Sequence, residues 1–360
     1  MAINEQNVRD ENLQILRFVA AALVLVTHIT FYIHDRINLG SGVWHGGESG
    51  VPIFFVISGF VMYLSGQKLS KNADGAKRFL RRRIARVFPL YWLITTLKVT
   101  IALIIPALIL HNRPDLLSVI GSYVLFPMLN AVGEVRPIHG VAWTLLHEML
   151  FYYVFALSLF LRQPTFVFTS LIIVGMSVIG LFVRAESALA QVCFNTINLM
   201  FVSGMALALG YSKGFRLPKG LALTLLGLGL AILLIPYVRD LRHYFVGDFH
   251  VEGVMIVAAL LSIKMSIFPN FKKLLVQLGD SSYSLYMIHP ILAPAICVIL
   301  LKFYIQSAYL ILPIAFVSCV CIAHFVYRYI ETPLNTRMRN FLEKIFTSDT
   351  PIHIANKKLP

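Results

Sequence analysis

LQILRFVAAALVLVTHIT, residues 13–30, decides the fold. Apart from Gln14, Arg17, Thr27, His28 and Thr30 every position is apolar. A run of this length crosses the ~30 Å hydrocarbon core of a bilayer as a helix. Inside lipid, a helix satisfies every backbone polar group within the segment. Comparable blocks recur at residues 87–110, 166–183, 220–237 and 308–330. The chain is 58% hydrophobic and 13% charged, where soluble domains average about 25% charged. A soluble chain of 360 residues has no way to bury that much apolar surface.

The same reading predicts an all-α, polytopic transmembrane helical bundle of about ten spans with both termini cytoplasmic. The expected spans are residues 13–34, 50–66, 87–110, 141–161, 165–183, 190–210, 219–237, 250–268, 283–302 and 308–330. Residues 116–129 are apolar but short, and hold Gly121 and Pro127. They read as re-entrant or interfacial, since an eleventh span would put the later basic loops outside. Residues 1–345 are expected to form a single transmembrane domain, followed by a short cytoplasmic tail, 346–360. The piece NTRMRNFLEKIF, residues 335–346, is amphipathic and fits the inner membrane surface. The first apolar run ends without a small-residue cleavage site and reads as a span, not a signal peptide.

A net charge of +14 raises the question of nucleic acid. The placement of the charges answers it. With the N-terminus inside, roughly 22 of the 31 Lys and Arg fall on the cytoplasmic side, which is the positive-inside bias. No nucleic-acid partner is expected. Cys193, Cys297, Cys319 and Cys321 sit in apolar segments without metal-type spacing and read as packing residues.

Ionisable groups inside spans are costly and mark function. Away from the span ends these are Arg17, His28, Lys98, His147, Glu148, His289 and His324. Arg17 and His28 are eleven residues apart on one helix, so they share a face within ~20° and lie ~16 Å apart along the axis. A packing histidine and a snorkelling arginine are the bland alternatives; the shared face favours a functional pair. Glu148 needs a partner at its depth, and His28 is placed at a compatible one. His147 followed by Glu148 lacks the second histidine of a zinc-protease signature, so no metal site is expected. His324 and Lys98 read as structural.

Two further blocks remain open on residues alone. GVPIFFVISGF, residues 50–60, fits close helix packing through Ser58 and Gly59, or a narrow slot for an acyl chain or pantetheine arm. RFLRRRIARVFPLYW, residues 78–92, sets arginines for phosphate binding or for lipid headgroups.

Taken in order, the arginine–x10–histidine of Arg17 and His28, GVPIFFVISGF, RRIARVFPLYW, WTLLHEMLFYY (143–153), LGDSSYSLYMIHP (278–290) and the closing Tyr329-Ile330-Glu331-Thr332-Pro333 resemble the acyltransferase family 3 membrane proteins. The resemblance runs from Leu13 to about Pro333 and implies a ten-span core in the bacterial inner membrane. It implies an acyl-CoA donor, most often acetyl-CoA, acting as substrate with no permanently bound cofactor. The acceptor implied is a hydroxyl of a glycan or lipid-linked sugar, such as an exopolysaccharide. Carried over, the catalytic residues are His28, Glu148 and Arg17, with Glu148 orienting the His28 ring. Substrate contacts are expected at Arg82, Arg83, Arg86, Phe54, Phe55, Ser58, Tyr91, Trp143, Tyr286 and His289, with a core role hydrogen-bonded to Tyr283 or Tyr286 equally open for His289. Many members carry a fused esterase-like domain after the core, and none is expected here. Oligomeric state is left open, a homodimer included. The rival class is a transporter or flippase, for which polar groups in spans mark a path; no inverted repeat supports it.

Overall fold

The computed structural model describes residues 11–37, 42–105, 115–130, 132–246, 249–263 and 268–347. Residues 1–10, the end of the third expected span (106–110) and most of the expected tail (348–360) lie outside the described residues. Among the described residues the regular elements are all helices, with one isolated bridge between Leu129 and Val135. In chain order they are α1 (Glu11–Tyr32), α2 (Gly50–Gly66), α3 (Ala73–Ile104), α4 (Leu116–Val124), α5 (Trp143–Phe160), α6 (Thr165–Phe182), α7 (Ala188–Phe194), α8 (Leu199–Ser212), α9 (Lys219–Leu234), α10 (Pro236–Val246), α11 (Val251–Ser262), α12 (Pro269–Asp280), α13 (Ser282–Lys302), α14 (Ala308–Val326) and α15 (Thr332–Thr347).

Seven helical runs are long and apolar enough to cross a bilayer, or up to nine if each of two bent pairs is one span. Among the described residues, length and composition alone therefore support fewer than the expected ten. Three segments account for the difference. Residues 190–210 divide into α7 and α8, bent by 44°, because Asn195 ends one helix and its side chain accepts from the Ile197 amide to start a new turn. Residues 219–237 divide at Pro236, where α10 leaves α9 at 98°; proline cannot continue the backbone ladder. α11 has 12 residues, a rise of only ~18 Å. The disputed α4 has 9 residues, ~14 Å, too short to cross. Asp115 caps its start by accepting from the Ser118 amide (2.9 Å), and a left-handed Leu125 (φ 53°) stops it.

α3 begins well before the expected third span. Asn72 caps it by accepting from the Gly75 amide, so the arginine-rich run is helical and continuous with the apolar part, with Pro89 in its interior.

α1 is the central element, contacting α2, α11, α12, α13 and α14. Ala20, Leu25 and Ile29 on it are fully buried. α2 packs along α8 through two reciprocal glycines. A Cβ on Gly59 would sit 2.1 Å from the Phe201 carbonyl oxygen, and one on Gly204 2.0 Å from that of Val56. With no hydrophobic drive between helices in lipid, such close backbone approach supplies the packing.

Candidate active site

A cavity of about 380 Å³ lies between α1, α2, α3, α5 and α13. Of the expected catalytic residues it brings together Arg17 and Glu148, and of the expected substrate contacts Arg83, Arg86, Phe54, Phe55, Ser58 and Tyr286. These come from five helices, so no local stretch of sequence builds the site.

One part of the cavity is cationic. Arg17 lies in the field of Arg86, Glu331, Asp280 and Glu148, and its Nη1 donates to Gln14 (3.4 Å). Arg83 carries a buried Nε with no hydrogen-bond partner among the described residues, and its guanidinium lies 5.8 Å from the Phe79 ring. Three guanidiniums line one cavity, and this is chemistry suited to phosphate or carboxylate, which Arg binds in a bidentate fork. Arg82, one position away, is exposed and does not line the cavity.

Glu148 does not orient His28. Its Oε1 accepts from Ser58 Oγ (3.0 Å) and from Tyr152 Oη. The expectation failed because sequence gives depth along a helix but not which neighbour a side chain meets. Tyr152 lies four residues on from Glu148, one turn along the same face. That spacing in WTLLHEMLFYY is the signal that would have found it.

His28 lies outside the cavity lining. Its Nδ1 is 2.9 Å from the Val24 carbonyl. A carbonyl only accepts, so Nδ1 carries the proton and the neutral ring keeps a bare lone pair on Nε2. His289 has the same arrangement: Nδ1 is 3.1 Å from the Leu285 carbonyl, and its buried Nε2 has no partner among the described residues. The two imidazoles meet edge to face at 4.7 Å. A series of rings leads from them to the cavity, His289 to Tyr286 at 5.8 Å and Tyr286 to Phe54 at 6.0 Å. The Tyr286 hydroxyl is shared with Thr144 Oγ1 and donates to the Val141 carbonyl, both at 3.1 Å. His28 also lies in the field of Arg136, in a loop, and of Glu48, on the short 3-10 turn His45–Ser49.

Two expected substrate contacts sit elsewhere. Tyr91 is fully buried and donates to the Ser122 carbonyl (2.6 Å), fastening α3 to α4. Trp143 packs edge-on against His147 at 5.6 Å, and His147 is held by Asn198 (2.9 Å).

Three buried groups carry no role in the sequence reading. Glu252 is fully buried and bonds Ser49 (3.0 Å) and His250 (2.9 Å), with Arg242 Nε at 3.9 Å. It opens an apolar helix, so counting only mid-span charges passed over it. Glu331 ends a π-helical turn, Tyr327–Glu331, and accepts from Ser284 (2.6 Å). His139, in the loop before α5, is fully buried.

Comparison with known proteins agrees with this architecture. The model of an acyltransferase domain, that of acyltransferase family 3, matches residues 10–328. The exopolysaccharide production protein ExoZ of Rhizobium meliloti is 32% identical over 254 residues, covering 68% of this chain and 75% of ExoZ. The O-acetyltransferase OatA of Staphylococcus aureus is 26% identical over 329 residues, 81% of this chain, which spans only about half (53%) of OatA. No solved structure matches. With a family match over most of its length and a membrane-type helical bundle, the chain belongs to acyltransferase family 3 and is a membrane protein.

Proposed function

We propose that this protein transfers an acyl group, in the first instance acetyl, from acyl-CoA to a hydroxyl of a surface glycan such as an exopolysaccharide. The observation that carries the reading is the juxtaposition of Arg17, Arg83 and Arg86 in one cavity with His28 one layer of rings beyond its wall. Coenzyme A is a polyanion with a long, mostly apolar arm. Its phosphates suit the guanidiniums, and its arm suits the wall of Phe54 and Phe55. The names of ExoZ and OatA point to exopolysaccharide and to O-acetyl transfer. The positive-inside bias supports an orientation with the arginine end toward the cytoplasm of a bacterial inner membrane and His28 toward the outer face.

His28 acts as general base. Its Nε2 lone pair takes the proton of the acceptor hydroxyl as that oxygen attacks the thioester carbonyl carbon. The tetrahedral intermediate then expels the coenzyme A thiolate, which takes the proton back from Nε2. The Val24 carbonyl keeps the ring in the required tautomer. Arg17 holds the donor, and Glu148 fixes Ser58 and Tyr152 in the cavity wall.

The test is purified protein in nanodiscs with labelled acetyl-CoA and an oligosaccharide acceptor. Label passes to the acceptor with wild type and is abolished by His28→Ala, which still inserts and elutes as wild type does. Full transfer by His28→Ala would overturn the assignment.

A further inference from the structure

Tyr286 has two faces. One lines the donor cavity beside Phe54 and Thr144. The other meets His289, and through it His28. It is buried, 8% exposed, and its position is set by three contacts. Its hydroxyl is pinned between Thr144 Oγ1 and the Val141 carbonyl, and its ring is braced edge-on against Phe54. Neither His28 nor His289 lines the cavity. The cavity therefore ends at this phenol, with the basic imidazole nitrogens behind it.

A thioester beside a base has two competing acceptors, the sugar hydroxyl and water. The chemistry needs a barrier that stays shut until the acceptor is in place. At 3.1 Å both hydroxyl contacts are longer than the ~2.7–2.8 Å usual for O–H···O bonds, so the pin is releasable.

We propose that Tyr286 is a gate between the donor cavity and the His28–His289 pair, and that it makes the enzyme select hydroxyl transfer over hydrolysis. The inference rests on the acyl-CoA reading above. At rest the phenol keeps water from the thioester. Opening it brings the thioester carbonyl to His28 and the bound acceptor. When the gate fails, water attacks the thioester carbonyl carbon and His28 Nε2 takes the water proton. The C–S bond breaks and the thiolate recovers that proton, giving acetic acid and coenzyme A.

The experiment measures acetyl-CoA hydrolysis without acceptor, beside transfer with acceptor, for wild type, Tyr286→Phe and Tyr286→Ala. Tyr286→Phe keeps the ring and removes both hydroxyl bonds. At about 0.5–1.5 kcal/mol each, their loss raises the open population about 5- to 140-fold, and hydrolysis rises by at least fivefold. Tyr286→Ala removes the barrier and rises further; should it fail to fold, Tyr286→Phe alone decides. Adding His28→Ala to Tyr286→Phe removes the extra hydrolysis. Hydrolysis within twofold of wild type in the folded Tyr286 variants overturns the gate. So does extra hydrolysis that survives loss of His28, since water would then enter from the arginine end. Absence of any transfer by wild type from acetyl-CoA refutes the parent reading instead, and the gate with it.

Discussion

Replacing single arginines with glutamine separates a phosphate site from a merely basic membrane surface. Arg82, Arg83 and Arg86 lie within five residues of one helix and each carries one charge, but only Arg83 and Arg86 reach the cavity. A hydrogen bond to a charged group contributes about 1.5–3 kcal/mol, and each 1.4 kcal/mol is tenfold in affinity. Arg86 is solvent-exposed, so Arg86→Gln belongs at the low end, about 10-fold weaker coenzyme A binding. Arg83 is deeper, with an unpartnered buried Nε, so Arg83→Gln approaches 100-fold. The double variant reaches about 1,000-fold if the two grip separate phosphate oxygens. Arg82→Gln removes the same charge from the same helix and costs less than about threefold, as exposed charges do. Calorimetric titration of coenzyme A into nanodiscs at physiological salt reads all four. Equal losses for Arg82→Gln and Arg86→Gln would show a diffuse field rather than a site. Normal affinity in the double variant would remove coenzyme A from the cavity altogether.

Three further outcomes follow from the packing. Gly204→Ala drives a Cβ into the Val56 carbonyl and should cost about 2–3 kcal/mol or more, read as a lowered thermal midpoint in detergent. Gly175→Ala, with nothing within 4 Å of its Cβ, is the control, and equal midpoints for the two would refute the contact. Tyr91→Phe removes one of the two donors to the Ser122 carbonyl, leaving the Leu125 amide, and should destabilise the protein by about 0.5–1.5 kcal/mol with donor affinity unchanged; a selective loss of donor binding would return Tyr91 to the substrate site. Burial holds the His139 pKa down at about 3 against ~6.5 unfolded. Below pH ~6.5 the unfolded chain therefore binds the proton first. The group costs nothing above that pH, and stability falls from there toward pH 3, by about 2 kcal/mol at pH 5. His139→Gln should flatten the fall in midpoint between pH 7.5 and 5, and an identical fall in both proteins would exclude this cause.

Much of the fold was legible because apolar length is a direct readout of bilayer thickness. Residues 50–66, 165–183 and 283–302 were bounded to within a residue of α2, α6 and α13. Averaged hydropathy is blind to interruptions inside a block, which is why Asn195 and Pro236 passed unnoticed and two bent pairs read as straight spans. Within the site, charge was the visible signal: Arg17, His28 and Glu148 were found by their cost in lipid. Their partners were not, because the groups that bind Glu148 are neutral hydroxyls, Ser58 and Tyr152, which cost little and are common. Nor does sequence choose between Arg82 and Arg83. Neighbours on a helix point ~100° apart, and only the position of α5 and α13 decides which one faces inward.

Pro89 divides α3 into two mechanical halves. On one side lie Arg83 and Arg86; on the other, Tyr91 and Trp92 are tied to α4 through the Ser122 and Tyr123 carbonyls. Because proline donates no bond to the Ala85 carbonyl, the rod is softest between its charged grip and its anchored shaft. A load on the arginines is taken up as flexure at that joint, and the α4 mooring stays in place.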